Sequence, residues 1–229
     1  IFEDRSGNLW FATDRGLSRY DGEAWTSFTA THGLPDYRVS SIYEDRQGHL
    51  WLATPRGAVR FDGRTFQMLT RQDGLASNRV QGFVEDRQGH LWFATGAGLT
   101  QYIRRDPYPP SISFRAVLAD RRYENPSEVS FPSTVEFTAF EFDGINLKTR
   151  PEGMVYRYRL KGYDEDWKTT RAQRVEYENL PRGNYTFEVQ AVDRDLVYSK
   201  APASVAMPIY LPYGQVGLFS ALGIAILLV

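Results

Sequence analysis

Three Glu-Asp pairs (Glu3-Asp4, Glu44-Asp45, Glu85-Asp86) and the histidines His49 and His90 are the residues of this 229-residue chain whose types and spacing could do chemistry. Two carboxylates can act as acid and base across one bond, and histidine beside carboxylate can ligate a divalent metal. Position argues against both. Neighbouring side chains in a strand leave on opposite faces, so one Glu-Asp pair cannot flank one bond. His49 and His90 share a repeat position that holds Asn8 in the first copy, so zinc ligands would have to converge from different copies, with one lost. Asp45, just ahead of Arg46-Gln47-Gly48, reads as a turn residue whose carboxylate accepts a local backbone N–H. An active site is usually one asymmetric constellation, whereas residues that maintain a fold recur in every copy. No catalytic residue, metal ligand or cofactor is therefore assigned.

The pairs belong to a phrase written three times: "EDRSGNLWFAT" from Glu3, "EDRQGHLWLAT" from Glu44 and "EDRQGHLWFAT" from Glu85. Trp10, Trp51 and Trp92 stand 41 residues apart, as do Gly16, Gly57 and Gly98, and Tyr20, Phe61 and Tyr102. A period of about 40–45 residues of short strands is the size of one four-stranded propeller blade. In "HLWLAT" Leu50 and Leu52 point one way, Trp51 and Ala53 the other, and a sheet apolar on both faces is what a blade packed between neighbours requires. Strands at "SIYED", "HLWLAT", "AVRFD" and "TFQMLT" are predicted, with turns at Gly48, Gly57 and Gly63.

After Tyr102 the Asp-Gly turn of the other copies gives way to "IRRDPYPP", whose adjacent prolines stiffen the chain and break strand pairing. Beyond it Tyr156, Tyr158 and Leu160 alternate with Arg157, Arg159 and Lys161, and Tyr185, Phe187, Val189 and Ala191 share one face. One-sided alternation over about seven strands predicts an immunoglobulin-like sandwich, with Trp167 in its core. The chain is thus expected to be all-β: incomplete propeller blades at 1–104, a Pro-rich linker at 105–110, a sandwich at 111–210 and the start of a transmembrane helix at 213–229. That last segment ends on "VGLFSALGIAILLV", fourteen residues without a charge, preceded by Tyr210 and Tyr213 as an interfacial belt. Both ends read as cut, and a closed ring needs at least about four blades.

A formal net charge of −1, from 27 basic and 28 acidic residues, gives no field to recruit nucleic acid, and none is expected as a partner. The absence of cysteine excludes disulfides, thiolate zinc sites and thiol catalysis.

The "EDRxGxLWxAT" units resemble the two-component-regulator propeller repeat. The stretch "YRYRLKGYDEDW" with "YENLPRGNYTFEVQAVD", up to Asp193, resembles the three-tyrosine (Y_Y_Y) domain that follows such propellers. The resemblance implies the periplasmic sensor region of a bacterial inner-membrane receptor, commonly a histidine kinase or hybrid two-component system, and some such proteins bind oligosaccharides. Where the family usually carries glycine in the turn before the last strand, this chain has "DRDLVYS".

Contacts to a ligand are sought in the loops that vary between copies: Arg15 and Arg56 before the third strand, and Tyr37, Arg38, Asn78 and Arg79 in the connecting loops. The expected partners are a small molecule or oligosaccharide, the membrane through the C-terminal helix, and a second copy through the sandwich. The alternative is a membrane-anchored glycan- or protein-binding scaffold without an output domain.

Overall fold

The computed structural model describes residues 1–13, 15–36, 38–104 and 106–212. The predicted helix at 213–229 and the candidate Tyr37 lie outside these residues. Among the described residues no helix is long and apolar enough to cross a membrane, and all regular structure is β-strand and short 3-10 turns.

Two compact units partition the chain. The first comprises 1–109 together with 148–155 and 192–197; the second comprises 110–147, 156–191 and 198 onward.

In the first unit each repeat folds into an antiparallel meander. β1 (Phe2–Glu3), β2 (Leu9–Thr13), β3 (Gly16–Tyr20) and β4 (Trp25–Phe28) make one sheet in chain order. β5 (Ser41–Glu44), β6 (Leu50–Thr54), β7 (Gly57–Phe61) and β8 (Phe66–Leu69) make the next. β9 (Val80–Glu85), β10 (Leu91–Thr95) and β11 (Gly98–Tyr102) form a three-stranded third sheet. The apolar faces pack sheet on sheet. Trp10 and Leu17 of the first join Leu50, Leu52, Val59 and Phe61 of the second in one cluster. Trp51, Ala53 and Ala58 of the second meet Leu91 and Phe93 of the third in another. Every residue of β6 and β7 is buried, the burial expected of a blade covered on both sides.

In the second unit β12 (Ser111–Leu118), β13 (Arg122–Glu124), β15 (Phe137–Ile145) and β18 (Arg174–Glu178) form one sheet. β14 (Phe131–Pro132), β16 (Val155–Lys161), β17 (Lys168–Thr170), β19 (Gly183–Val192) and β20 (Ala203–Tyr210) form the other, in the order β14-β20-β19-β16-β17. The inner faces meet through aromatic rings: Phe140 stacks on Phe187 at 3.9 Å, and Phe142 lies edge-on to Tyr156 at 5.0 Å. Of the residues expected to point inward, Tyr156, Leu160, Tyr185, Phe187, Val189 and Ala191 lie in the core, and Tyr158 is half-buried.

Trp167 corrects an expectation. It is half-buried on the outer face of its sheet, beneath the guanidinium groups of Arg157 and Arg159 at 5.1 and 4.7 Å. It precedes the edge strand β17 and faces the arginine-bearing side of β16, where a cation over the indole replaces apolar packing.

Glycine is required at Gly57 for a reason other than its dihedral angle. A Cβ there would stand 2.4 Å from the Leu69 carbonyl oxygen on β8. Gly57→Ala is expected to force β7 and β8 apart and cost about 1–3 kcal/mol. Urea unfolding followed by tryptophan fluorescence measures it, since four of the five tryptophans lie in the blades.

Candidate functional site

The repeated phrase is a hydrogen-bond unit. Asp45 Oδ1 accepts the backbone N–H groups of Gln47 and His49 at 2.9 and 3.0 Å, and Oδ2 accepts the Trp51 indole N–H at 2.8 Å. Asp4 does the same for Ser6, Asn8 and Trp10, and Asp86 for Gln88, His90 and Trp92. The glutamates of the second and third pairs serve the preceding repeat instead. Glu44 accepts the N–H of Arg5, and Glu85 that of Arg46, both at 2.8 Å. Adjacent carboxylates thus do separate structural work, which agrees with their failure to form an acid–base pair.

At the seam between the second and third sheets the unit becomes a buried ionic cluster. Arg104 reaches Asp45 and Glu85 at 2.9 Å each and the Gly89 carbonyl at 2.9 Å. The Asp45 side chain is fully buried. Burial raises its pKa, but the His49, Trp51 and Arg104 donors outweigh it and hold the carboxyl well below the usual carboxylate range. Asp86, held first by the Trp92 indole, is lowered to about 2.

The histidines have structural partners. His49 Nδ1 lies 2.8 Å from Arg60, His90 Nδ1 lies 3.2 Å from Asp86, and His32 Nδ1 accepts the Thr29 N–H of its own 3-10 turn. No group of three His, Asp or Glu able to hold a metal ion occurs among the described residues.

The described candidate ligand residues lie at one end of the blades, in the second-to-third-strand turns and the connections between sheets. Arg15 and Arg56 sit in two-residue turns whose N–H groups donate to Thr13 and Thr54 hydroxyls. Arg38 donates its N–H to Asp36, and Arg79 donates its own to Ser77 while its carbonyl accepts from Gly96. These four arginines are exposed. Asn78 is committed, its side-chain oxygen accepting the Arg71 N–H at 2.7 Å. The described residues of this surface offer hydrogen-bonding and charged groups.

Sequence reasoning missed a second cluster, contributed to the blade unit by the loop at 192–197. Gln67 Nε2 stands 3.0, 3.3 and 2.9 Å from the carbonyls of Gly153, Val192 and Asp193. Arg60 donates to the Asp195 carbonyl, and the Tyr102 hydroxyl donates to the Asp195 carboxylate at 2.6 Å. Burial and that carboxylate push the Tyr102 pKa up, so the hydroxyl stays protonated. Arg194 pairs with Asp73 at 3.5 Å. The "DRDLVYS" turn forms without glycine: Leu196 itself takes φ +61°, a conformation that costs a non-glycine residue about 1–2 kcal/mol. The signal available in the sequence was divergence at a strand position, since Gln67 stands where the first copy has Thr26.

Meander blades with a repeated Asp-Trp lock, followed by a two-sheet aromatic sandwich, define a propeller-repeat protein with an immunoglobulin-like module. Family comparison is more particular. The two-component regulator propeller family matches residues 33–56 and 74–97, and the Y_Y_Y domain family matches residues 148–207. The chain carries both. Among solved structures it is similar to the extracellular domain of BT3049 from B. thetaiotaomicron, assigned as a hybrid two component system. The identity is 20%, the TM-score 0.49, and the match covers 92% of this chain and 32% of that one. It is also similar to the extracellular domain of BT4673 from B. thetaiotaomicron, at 18% identity and a TM-score of 0.41, over 93% of this chain and 31% of that one. The chain spans about a third of the length of each of these structures. No curated protein matches it.

The depressed Asp45 and Asp86 pKa values set an acid limit. A carboxylate lowered on folding contributes stability that is complete above its unfolded pKa, about 3.9. That contribution fades as pH falls toward the folded value, about 2 for Asp86. Asp45→Asn removes the buried partner of the half-buried Arg104 and is expected to cost about 3 kcal/mol at pH 7. The difference from wild type should shrink below about pH 4, and urea titrations at pH 7 and pH 3 measure both.

Proposed function

We propose that this chain is the extracytoplasmic, ligand-binding region of a membrane-spanning bacterial signal-transduction receptor, on the periplasmic side of the inner membrane. Its ligand is a small molecule or oligosaccharide bound at the arginine-bearing end of the blades. The observation that carries the reading is the membership of 148–155 and 192–197 in the blade unit. Both segments interrupt the sandwich in sequence, joining β15 to β16 and β19 to β20. A displacement of the blades therefore acts on sandwich strands through covalent connections, and a helix after Pro212 relays it to an output domain across the membrane. Differential affinity of the ligand for two such states drives the switch. The sandwich pairs two copies in this scheme.

Thermal unfolding of the 229-residue chain against a panel of oligosaccharides tests the binding step. At least one glycan is expected to raise Tm, and Arg38→Ala with Arg79→Ala to weaken its binding by tenfold or more without changing the Tm of the free protein. No shift across the panel, or a shift indifferent to both substitutions, would remove this end of the blades as the ligand site. In the full-length receptor Gln67→Ala is expected to abolish ligand-dependent output while affinity stays within twofold. A parallel loss of both would count against transmission through the 192–197 loop.

A further inference from the structure

The sandwich unit exposes aromatic side chains at the end where the chain leaves it, and the strand register shows which end that is. β20 runs to Tyr210. Phe131 and Pro132 of β14 lie beside Ile209 and Tyr210, and Gly183, the first residue of β19, lies opposite Ile209. Gly162, just after β16, packs against the start of β19, where a Cβ would stand 3.1 Å from the Asn184 carbonyl oxygen. The turn that carries Tyr163 is therefore at this end. β15 starts here as well: Phe137 pairs with Glu178, the last residue of β18, and the Glu136 carbonyl accepts the Asn179 N–H on the way to β19.

Phe137, Tyr163, Tyr210 and Leu211 at this end each leave nearly half or more of their surface in solvent. Ile145 and Leu147, the other large apolar groups that the unit exposes, lie at the far end of β15 and just beyond it. Phe140 and Phe142 of β15 and Met207 and Ile209 of β20 point inward, so alternation puts Phe137 on the outer face of one sheet and Tyr210 on the outer face of the other. Tyr163 lies edge-on to Tyr177 at 5.7 Å. Apolar groups on both outer faces of one end are met together by a flat surface, not by a peptide in a groove. Charge does not draw anionic lipid to it. Exposed Glu136, Glu165, Asp166 and Glu178 outnumber Arg182, and Lys161 and Lys168 are paired with Glu188 and Asp164.

The sequence supplies the flat surface. Only Tyr213, Gly214 and Gln215 separate Pro212 from the uncharged run Val216 to Val229. Fully extended, the chain from Pro212 to Val216 reaches about 14 Å, and the headgroup layer is about 5–8 Å deep on each side of the hydrocarbon. Entry of 216–229 into a bilayer therefore holds this end of the sandwich at the headgroup layer. We propose that the end bearing Phe137, Tyr163, Tyr210 and Leu211 is a lipid-contact surface that rests in the headgroup layer of a zwitterionic phospholipid bilayer and sets the sandwich end-on to the membrane. Tyrosine suits that layer, since its ring is apolar and its hydroxyl can bond to headgroup oxygens. The proposal rests on the membrane-spanning reading above and adds that the folded domain, besides its tether, touches lipid.

The chain has no cysteine, so a single one can carry a probe. Thr134→Cys places it at this end and Leu147→Cys at the other, both at exposed positions. Each variant of the 229-residue chain is labelled with an environment-sensitive nitrobenzoxadiazole dye and reconstituted into phosphatidylcholine nanodiscs with and without headgroup spin-labelled lipid. The spin label is expected to quench the dye at 134 at least threefold more than at 147. Phe137→Ser with Tyr163→Ser should bring the signal at 134 down to that at 147, with the circular dichroism spectrum unchanged and the chain still copurifying with the discs. Equal weak quenching at both positions in a chain that copurifies with the discs would overturn the lipid contact and leave the anchor standing. Quenching at 134 that survives both serine substitutions would mean proximity through the tether alone and would also overturn it. Failure to copurify would overturn the anchor and the contact together. A dye at 134 shielded from aqueous iodide yet indifferent to spin-labelled lipid would overturn the proposal in favour of a second copy covering this end.

Discussion

One carboxylate per repeat holds the blades together. Asp4, Asp45 and Asp86 each tie the turn after the first strand to the tryptophan of the second, through two backbone N–H groups and one indole N–H. A tryptophan buried between sheets leaves its N–H in need of an acceptor, and an aspartate leaving water needs several donors. Each satisfies the other. With the indole fixed, the apolar face of the second strand has one orientation, and the neighbouring sheet packs against it. The glutamate beside the aspartate points the other way along the pleat and accepts from the adjacent turn, so one dipeptide sets the geometry within a blade and the register between blades.

The same eleven residues meet different surroundings in the three copies. β6 is buried along its whole length, whereas β10 alternates between buried and half-buried positions and β2 buries only Trp10. Propensity cannot account for this, since the strands are nearly identical in sequence. Neighbours account for it, as in any array whose stability is a sum of repeat and interface contributions. The charges follow the same gradient. Asp45, between two sheets, needs the Arg104 guanidinium in addition to its turn, while Asp86 is served by its own turn, Trp92 and His90.

Local periodicity made the architecture legible. The 41-residue interval, the turn glycines and the period-two alternation from Tyr156 onward each depend on residues close in the chain, and the strands formed where these signals placed them. The short strands Arg122–Glu124 and Lys168–Thr170 carry too few residues for a pattern to show. Trp167 was read as core because aromatic content alone does not say which face of a sheet a side chain takes; the arginines of β16 decided it. The variable loops led to a set of exposed arginines at one end of the blades. The cluster of Gln67, Tyr102, Arg194 and Asp195 depended on pairings across about 90 to 130 residues, which no local signal encodes.

Those distant pairings share a physical logic. Gln67 is buried on a strand whose counterpart in the first copy carries Thr26, and a buried amide without acceptors would cost about 1–3 kcal/mol. Its acceptors are main-chain carbonyls of 148–155 and 192–197, so the blade is polar there only to the extent that these segments are in place. Leu196 meanwhile holds a left-handed backbone conformation that it would not choose alone, and the anchoring of Asp195 by Arg60 and Tyr102 offsets that strain. Segment and strand are each satisfied by the other. The strain at Leu196 persists because the hydrogen bonds that hold its neighbour Asp195 over-determine the loop.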